Sequence, residues 1–272
     1  MSTDLYAAGA DYLKQRRARG YLLKDNDYLI RAFLDGLAAR GETTITVVDA
    51  VAFATQSPGT SPTWHAARLR AVRGLAAYVH SLDPEAAELV PAGLIRSRPT
   101  RRAPYLYSDN QVRQLMITAT ALSPVLLAAS IHTLIGLLAS TGTRSGEAGA
   151  LDVEDLRLED QVMTVTGKYS KQRLVPLHPT TVEALGAYLG VRAGHAAPTG
   201  PLLIGPSGGR LNLNKARAIF QVLVGQCRLA QRPGCGAPRL HDFRHTFAVK
   251  ALIDAHRRLS RPLWKLRWRS PA

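Results

Sequence analysis

Apolar residues follow helical spacing along most of this chain of 272 residues, which leaves room for few strands. They recur every three or four positions over 4–19, 26–39 and 45–55, which predicts three amphipathic helices. Gly20 and Gly41 stand where the first two helices would end, and glycine commonly follows a helix C-terminus. We therefore expect a mainly α-helical fold.

A fourth helix begins at Ser61 and carries an apolar face and a basic face. Four residues form the apolar stripe that would pack against a core: Leu69, Val72, Ala76 and Val79. Arg70, Arg73 and His80 share another face, and arginines on a core-forming helix suit contacts with DNA phosphates. The alternative is a solvated surface, because charged helix faces usually just face water.

A segment rich in proline and arginine, PAGLIRSRPTRRAP, follows this helix and has no apolar period, which indicates a linker. We expect a helical DNA-binding domain over 1–98, a linker over 99–104 and a second domain over 105–254. Arg101 and Arg102 of the linker are candidates for contact with a duplex backbone.

The second domain is also predicted to begin with helices. Ser108 opens a capping-box pattern, S-D-N-Q, and a helix that runs to about Leu122. A long apolar helix over 123–140 follows, and Thr-Gly-Thr at 141–143 interrupts it. Arg144 would then lie at a turn, at the start of a short helix.

One stretch has a different period. Residues alternate over 162–167, and 173–177 is a second short extended run, so we expect a β-hairpin with Lys168 near its turn. Helices are predicted over 180–191 and 213–229, and LHDFRHTFAVKALIDAHRR opens the last one. The fold class is therefore mainly α with a small antiparallel β-sheet.

The chain is strongly basic, with a net charge of +15 and an isoelectric point near 10.4. Such an excess favours a polyanionic partner, with nucleic acid as the first candidate. The excess is uneven, because residues 255–272 contain 6 Lys and Arg and no acidic residue, whereas 105–254 contain 15 against 10. We regard 255–272 as an atypical basic tail.

Two features concern the compartment. The chain has no apolar run of about 18 residues and no signal-type segment at its N-terminus, which predicts a cytoplasmic protein without a membrane partner. Its two cysteines, Cys227 and Cys235, lie in a loop rich in glycine and proline. Their spacing favours neither a disulfide framework nor a zinc site.

The individual candidate residues have ordinary alternatives. Arg144 would also suit a simple salt bridge with Glu147, and such pairs are common and weak. Lys168 would also suit an exposed hairpin turn, where lysine is frequent. On their own, these residues do not identify a site.

His241, Arg244 and His245 share one face of the last helix, because they lie three and four residues apart. They could simply be the polar N-terminus of a helix. The H-x-x-x-H spacing also suggests a metal hydrolase as an alternative. The glutamate of the H-E-x-x-H motif is missing, however, so we expect no metal site.

Three sequence boxes occur in a fixed order: TGTRSGEAGAL, VTGKYSKQRLVPLHPTTVEAL and RLHDFRHTFAV. In this order, in a basic chain with two halves, they resemble the tyrosine recombinase, or phage integrase, family, and especially the recombinases of bacterial insertion elements. The resemblance extends to about residue 254. It implies a helical core-binding (SAM-like) domain followed by a tyrosine recombinase catalytic domain.

The resemblance implies site-specific recombination of double-stranded DNA by a homo-oligomer on the DNA, without metal, nucleotide or other cofactor. In the family a tyrosine attacks a phosphate, which gives a 3′-phosphotyrosyl bond and a free 5′-hydroxyl. Arg144 and Arg244 match two arginines that clamp the phosphate oxygens. Lys168 matches the general acid for the leaving oxygen. His241 matches a hydrogen-bonding or proton-shuttling histidine, and Glu147 an acidic residue that orients the Arg144 box.

The chain departs from the family pattern after this last box. The family continues through L-G-H to the nucleophilic tyrosine, but here the last tyrosine is Tyr188, before His241, and the last histidine is His256. The chain ends instead in LSRPLWKLRWRSPA. We interpret it as a truncated or frameshifted recombinase that cannot cleave alone. If neither alternative reading frame downstream of codon 256 encodes L-G-H and a tyrosine, the frameshift is excluded. The alternative is a non-cleaving competitor or repressor at recombination sites.

Overall fold

The fold is described from a computed structural model, in which the described residues are 3–20, 24–56, 60–97, 103–167 and 171–259. The chain forms two compact units, Met1–Arg101 and Arg102–Ala272. Some residues discussed above lie outside the described ranges: Arg101, Arg102, Lys168 and the tail after Leu259.

The described part of the first unit contains four helices: α1 (Leu5–Ala18), α2 (Lys24–Ala38), α3 (Val47–Thr55) and α4 (Pro62–Leu82). Asp4, Thr46 and Ser61 precede three of them, and their side chains accept hydrogen bonds from the first backbone N–H groups. Gly20 and Gly41 follow α1 and α2 with φ angles of 84° and 71°. Glycine adopts this left-handed backbone without strain, so both predicted helix ends are confirmed.

The apolar stripe predicted on α4 is confirmed. Its four residues are at most 5% exposed and belong to the core of the first unit: Leu69, Val72, Ala76 and Val79. His80, which shares a helical face with Arg70 and Arg73, is half-buried, and its Nδ1 lies 2.7 Å from the carbonyl oxygen of Ala87. His80 therefore ties α4 to the chain that follows it and does not extend the exposed basic face.

The second unit is also mainly helical. Its described helices are α5 (Asp109–Ala119), α6 (Val125–Thr141), α7 (Ser145–Ala150), α8 (Pro179–Ala193), α9 (Leu213–Gln226) and α10 (Asp242–Leu259), with a short 3-10 helix at Val153–Asp155. Helix α6 contacts α5, α7, α8 and α10. The N-terminal part of α10 is held by stacking of Phe243 on Tyr107, whose ring centroids are 4.4 Å apart. The ends of α6 and α10 that carry the family motifs are thus parts of one core.

The sheet of the second unit has three antiparallel strands in the order β1 (Leu156–Arg157), β2 (Val162–Thr166) and β3 (Gln172–Pro176). Strands β2 and β3 form the predicted hairpin, in which Thr164 pairs with Leu174. Strand β1 was not expected, because two residues are too few to show alternation. The expected fold class, mainly α with a small antiparallel sheet, is confirmed.

The ends of several helices differ from the expectation. Ser108 and Gln111 form the predicted capping box of α5, but α5 ends at Ala119 because the next N–H groups bond three residues back, at 3.1 to 3.2 Å. Helix α9 ends at Gln226, three residues before the expected end at 229, and α10 ends at Leu259. Within the described ranges, no helix has both the length and the apolar character to cross a bilayer.

Candidate active site

The Thr-Gly-Thr segment reverses the chain between α6 and α7. Gly142 has a φ of 61°, and its N–H donates to the carbonyl of Leu138 at the end of α6. A Cβ atom at this position would overlap the ring of Phe247 on α10. Glycine is therefore required at position 142 for two reasons, the left-handed backbone and the close approach of the Phe247 ring. The turn brings Arg144 to the start of α7, as the sequence predicted.

Glu147 of α7 is a carboxylate that two arginines surround. Its side chain is 7% exposed, and it accepts hydrogen bonds from the backbone N–H of Arg144 at 3.0 Å and from Nη1 of Arg144 at 2.7 Å. Arg173 of β3 donates through Nη1 at 3.3 Å and Nη2 at 2.7 Å. The salt-bridge alternative for Arg144 is therefore present in the structure, and Arg173 shares it.

These contacts determine the charge of Glu147. Burial acts to raise the pKa of the carboxyl, but the hydrogen bonds from Arg173 and from the backbone and side chain of Arg144 outweigh it and lower the pKa to about 2. A carboxylate that stays ionised over the physiological range holds both guanidinium groups in defined positions. Glu147 thus orients Arg144.

The β2–β3 hairpin meets this cluster at the end where its turn connects the two strands. Strand β2 ends at Thr166, and the N–H of Gly167 donates to the carbonyl of Lys171 at 2.8 Å. A Cβ atom on Gly167 would lie 3.7 Å from both Nη1 of Arg173 and Oε1 of Glu147. Lys168 itself lies outside the described residues, but its neighbour Gly167 lies beside the Glu147 cluster.

The start of α10 is anchored by a buried acid. Asp242, whose side chain is 1% exposed, accepts hydrogen bonds from the backbone N–H of Arg239 at 2.9 Å and from its Nη2 at 3.1 Å. The hydroxyl of Tyr107 donates to the carbonyl of Arg239 at 3.0 Å. These contacts hold the first turn of α10, which carries His241 and Arg244.

The structure brings Arg244 to the turn that contains Arg144. Nη1 of Arg244 donates to the carbonyl oxygen of Gly142 at 2.7 Å. His241 is exposed and lines a cavity of about 400 Å3 together with Ser145, the residue after Arg144. Three of the four candidate catalytic residues therefore meet where the end of α6, the start of α7 and the start of α10 come together.

His241 lies close to a second histidine of α10. Its ring centroid is 5.0 Å from that of His245. Partial burial first, and then the proximity of His245, lower the pKa of His241, and Asp242 opposes this shift. The lowered pKa favours a neutral ring near pH 7, which both accepts and donates hydrogen bonds. In the described ranges, no group of three or more His, Cys, Asp or Glu side chains has the arrangement to hold a metal ion.

The described tyrosines of the second unit are structural. The hydroxyl of Tyr188 lies 2.9 Å from Oγ of Ser130, donates to the carbonyl of Leu202 and accepts from the N–H of Ile204. Its ring is 3% exposed. Tyr105 and Tyr107 are buried at 2%, and Tyr169, the residue after Lys168, lies outside the described residues. No described tyrosine of this unit presents a free hydroxyl to a DNA strand.

The candidate DNA-binding residues of the first unit lie on α4. Arg70 is exposed, Arg73 is half-buried, and both line a cleft of about 340 Å3. The neighbouring Arg68 is 7% exposed and donates through Nε and Nη2 to the carbonyl of Phe53, with its guanidinium 4.1 Å from the centre of the Phe53 ring. Two of these three arginines thus remain at the surface.

Sequence reasoning missed Arg173 and Arg239. Arg173 lies five residues after Lys168 in the second of the three sequence boxes, but its pairing with Glu147 joins residues 26 positions apart. Arg239 stands two residues before His241, and its three-residue spacing to Asp242 was a visible signal for an ion pair. Only the first of these contacts required knowledge of the tertiary structure.

Comparison with known proteins identifies the family. The profile described as "Phage integrase family" matches residues 106–255. The putative integrase/recombinase y4rB of Sinorhizobium fredii (strain NBRC 101917 / NGR234) is 32% identical over 252 residues, which cover 89% of this chain and 80% of that protein.

Solved structures share the fold. The Tn1549 transposon integrase in complex with a circular intermediate DNA matches with a TM-score of 0.62 at 17% identity, over 91% of this chain and 87% of that one. A lambda integrase tetramer bound to a Holliday junction matches with a TM-score of 0.58 at 18% identity, over 91% of this chain and 70% of that one. The profile match and the similarity to y4rB, together with the ordered sequence boxes, show that this chain belongs to the phage integrase family.

Proposed function

We propose that this chain binds double-stranded DNA and holds one phosphodiester of a recombination site between Arg144 and Arg244. One observation carries the proposal: Nη1 of Arg244 bonds to the carbonyl of Gly142, two residues before Arg144, next to the exposed His241. Transfer of a phosphodiester develops negative charge on its non-bridging oxygens, and preorganised guanidinium groups stabilise that charge. The DNA complexes of the Tn1549 and lambda integrases support the same partner here.

Each side chain has a distinct task in this proposal. Arg144 donates through Nη1 to Glu147, and Arg244 donates through Nη1 to the carbonyl of Gly142. These contacts fix the two guanidinium groups, and their remaining N–H donors bind the phosphate. His241, which favours the neutral form, donates a hydrogen bond to a phosphate oxygen. Lys168, carried by the hairpin whose end meets Glu147, protonates the leaving 5′-oxygen.

We propose further that this 272-residue chain does not cleave DNA by itself. The reaction requires a tyrosine whose hydroxyl reaches the phosphate, but Tyr188 is buried with its hydroxyl engaged in hydrogen bonds to Ser130 and Leu202. No tyrosine follows it in the chain. The tetrameric state of the lambda integrase on DNA supports assembly of several copies on the site.

The experiment has two parts. Binding of the purified chain to duplexes from the DNA that flanks its gene should be tenfold or more weaker for Arg144→Ala and Arg244→Ala, because each removes a charge-assisted contact. Arg157→Ala, which removes an exposed arginine of β1, serves as the matched control and should bind like the wild type. Equal binding by all four proteins would reject the proposed phosphate site.

The second part tests cleavage. A nicked duplex that releases a short strand on cleavage traps any covalent protein–DNA adduct, and we expect none with this chain. An adduct would contradict the absence of cleavage. In that case Tyr169→Phe would reveal whether the tyrosine beside Lys168 is the nucleophile.

The same buried tyrosine favours a second candidate function, which is a competitor or repressor that occupies recombination sites without cutting. This function depends on affinity and not on catalysis. It predicts that Lys168→Ala, which removes the proposed general acid, keeps the effect of the protein on a recombination reporter, whereas the double variant Arg70→Ala/Arg73→Ala, which removes DNA contacts, loses it. Loss of the effect with Lys168→Ala alone would exclude this candidate.

A further inference from the structure

A cleft in the first unit is bordered by three arginines. It lies between α4 and the segment that follows it, and its volume is about 340 Å3. Its lining contains no acidic residue and consists of Ala66, Leu69, Arg70, Arg73, Gly93, Ile95, Arg96 and Ser97. Helix α4 contributes Arg70 and Arg73, and the segment after it contributes Arg96.

The position of Arg96 follows from the packing of its neighbours. Ile95 packs against the core of the first unit, and Val90 is 6% exposed. Upstream, the ring of His80 on α4 contacts the carbonyl of Ala87 at 2.7 Å. The chain after α4 is therefore held at several points along 87–95, and Arg96 is carried to the cleft by a defined backbone.

The charge of the cleft is not neutralised by the ion pairs of this unit. In the described ranges, those ion pairs join Arg17, Arg31 and Arg40 to Asp27 and Asp49. The cleft arginines take part in none of them, and only Arg68, their neighbour on α4, is directed inward to Phe53. Three positive charges without a carboxylate repel one another unless an anion lies between them.

We propose that this cleft binds one backbone phosphate of a DNA duplex, with Arg96 as a third ligand beside Arg70 and Arg73. The proposal rests on the proposed function, because it takes the anion from the DNA that the second unit acts on. Guanidinium groups match the oxygens of a phosphodiester in geometry and charge. Such a contact carries no information about base sequence, so it contributes affinity and register.

The test measures affinity for duplex DNA as a function of salt concentration. For B-DNA, each phosphate neutralised contributes about 0.9 to the slope of log affinity against log salt. We expect Arg96→Ala to bind about tenfold more weakly at low salt. The triple variant Arg70→Ala/Arg73→Ala/Arg96→Ala should lower the slope by about 1, since the three arginines share one phosphate.

Lys14→Ala is the matched control, because Lys14 is an exposed cation on α1, outside the cleft. It should leave the slope nearly unchanged. Unaltered circular dichroism of each variant verifies the fold. If Arg96→Ala binds like the wild type, or if Lys14→Ala is as weak as Arg96→Ala, the cleft is not the site. A slope lower by about 3 in the triple variant would indicate three separate contacts and would also overturn the proposal.

A second measurement separates DNA from small anions. Inorganic phosphate, titrated up to a concentration of about 10 mM at constant ionic strength, should bind the cleft weakly and should not replace the duplex. Tight binding of inorganic phosphate that is lost in Arg96→Ala, with DNA binding unchanged, would assign the cleft to a small anion instead. A wild-type chain that binds no duplex would refute the proposed function and this inference together, whereas normal wild-type binding with an unaffected Arg96→Ala would refute only this inference.

Discussion

Glu147 makes four hydrogen bonds with two arginines from a position that is almost closed to water. The removal of one partner from such a buried arrangement is costly, because the remaining charges lose their compensation. The role of Glu147 is therefore twofold. It stabilises the second unit, and it fixes the direction of Arg144.

Glu147→Gln should destabilise the protein by about 2 to 3 kcal/mol at pH 7. The pKa of Glu147 is lowered to about 2 in the folded state, whereas an unperturbed glutamate has a pKa of about 4.3. The stabilisation is therefore complete above about pH 4.3 and is lost as the pH falls toward 2. Urea unfolding at pH 7, 4 and 2.5 measures it, and a difference between the two proteins that does not shrink with acid would contradict this account.

Tyr188→Phe should cost about 1 to 3 kcal/mol of stability, because the change removes the buried hydroxyl that bonds to the N–H of Ile204 and to the carbonyl of Leu202. DNA affinity should not change. Thermal unfolding and a DNA-binding titration of the same sample test both statements. A large loss of affinity without loss of stability would indicate that this tyrosine acts on the DNA.

Among the elements, the hairpin and α7 are joined through Arg173 and Glu147. The two bonds from β3 reach a helix that lies 26 residues earlier in the chain. Because Gly167 at the end of β2 lies beside the same pair, the ion pair connects the strand end next to Lys168 with Arg144. The elements that carry two proposed catalytic groups thus share one anchor.

Arg173→Ala should raise the pKa of Glu147 above about 2, because it removes the hydrogen bonds that contribute most to lowering it. The pKa should stay below that of an exposed glutamate, since Arg144 remains. Carbon-13 NMR titration of the labelled carboxyl measures the shift. Arg157→Ala serves as the control with an unchanged value, and an unchanged value for Arg173→Ala would exclude this link.

The turn between α6 and α7 depends on Gly142. Gly142→Ala should cost more than the roughly 1 to 2 kcal/mol of a left-handed non-glycine residue, because the new methyl group also meets Phe247. It should also weaken DNA binding, since both proposed phosphate ligands are positioned by this turn. Gly200→Ala is the matched control, with a φ of 83° and open space around its Cβ. Equal effects of the two variants would show that backbone strain alone matters.

At the scale of the whole molecule, part of the excess positive charge lies in the basic tail, away from the proposed phosphate ligands. Residues 260–272 contain four Lys and Arg and no acidic residue, whereas the proposed phosphate ligands lie on α4 and the segment after it, at the start of α7 and on α10. A basic segment raises affinity for any polyanion without a defined site.

A chain that ends at Leu259 should therefore retain DNA binding, with affinity reduced to a similar extent for all duplex sequences. Its salt slope should be smaller than that of the full chain. Titrations with several unrelated duplexes at several salt concentrations test this. Complete loss of binding would show that the tail, and not the two units, is responsible for DNA binding.

The sequence alone determined the mainly helical fold, the helix end at Gly142, the hairpin and the family, because these depend on local spacing and on motifs of adjacent residues. Helix ends were less accurate, since the last N–H groups choose between bonds three and four residues back. Only the tertiary structure decided that Arg244 bonds to Gly142, that Glu147 also binds Arg173 and that Arg96 lines the same cleft as Arg70 and Arg73. Each of these contacts joins residues that are distant in the chain, and close packing, not periodicity, selects such partners. The same packing brings His80 to the carbonyl of Ala87, a contact that its helical spacing did not indicate.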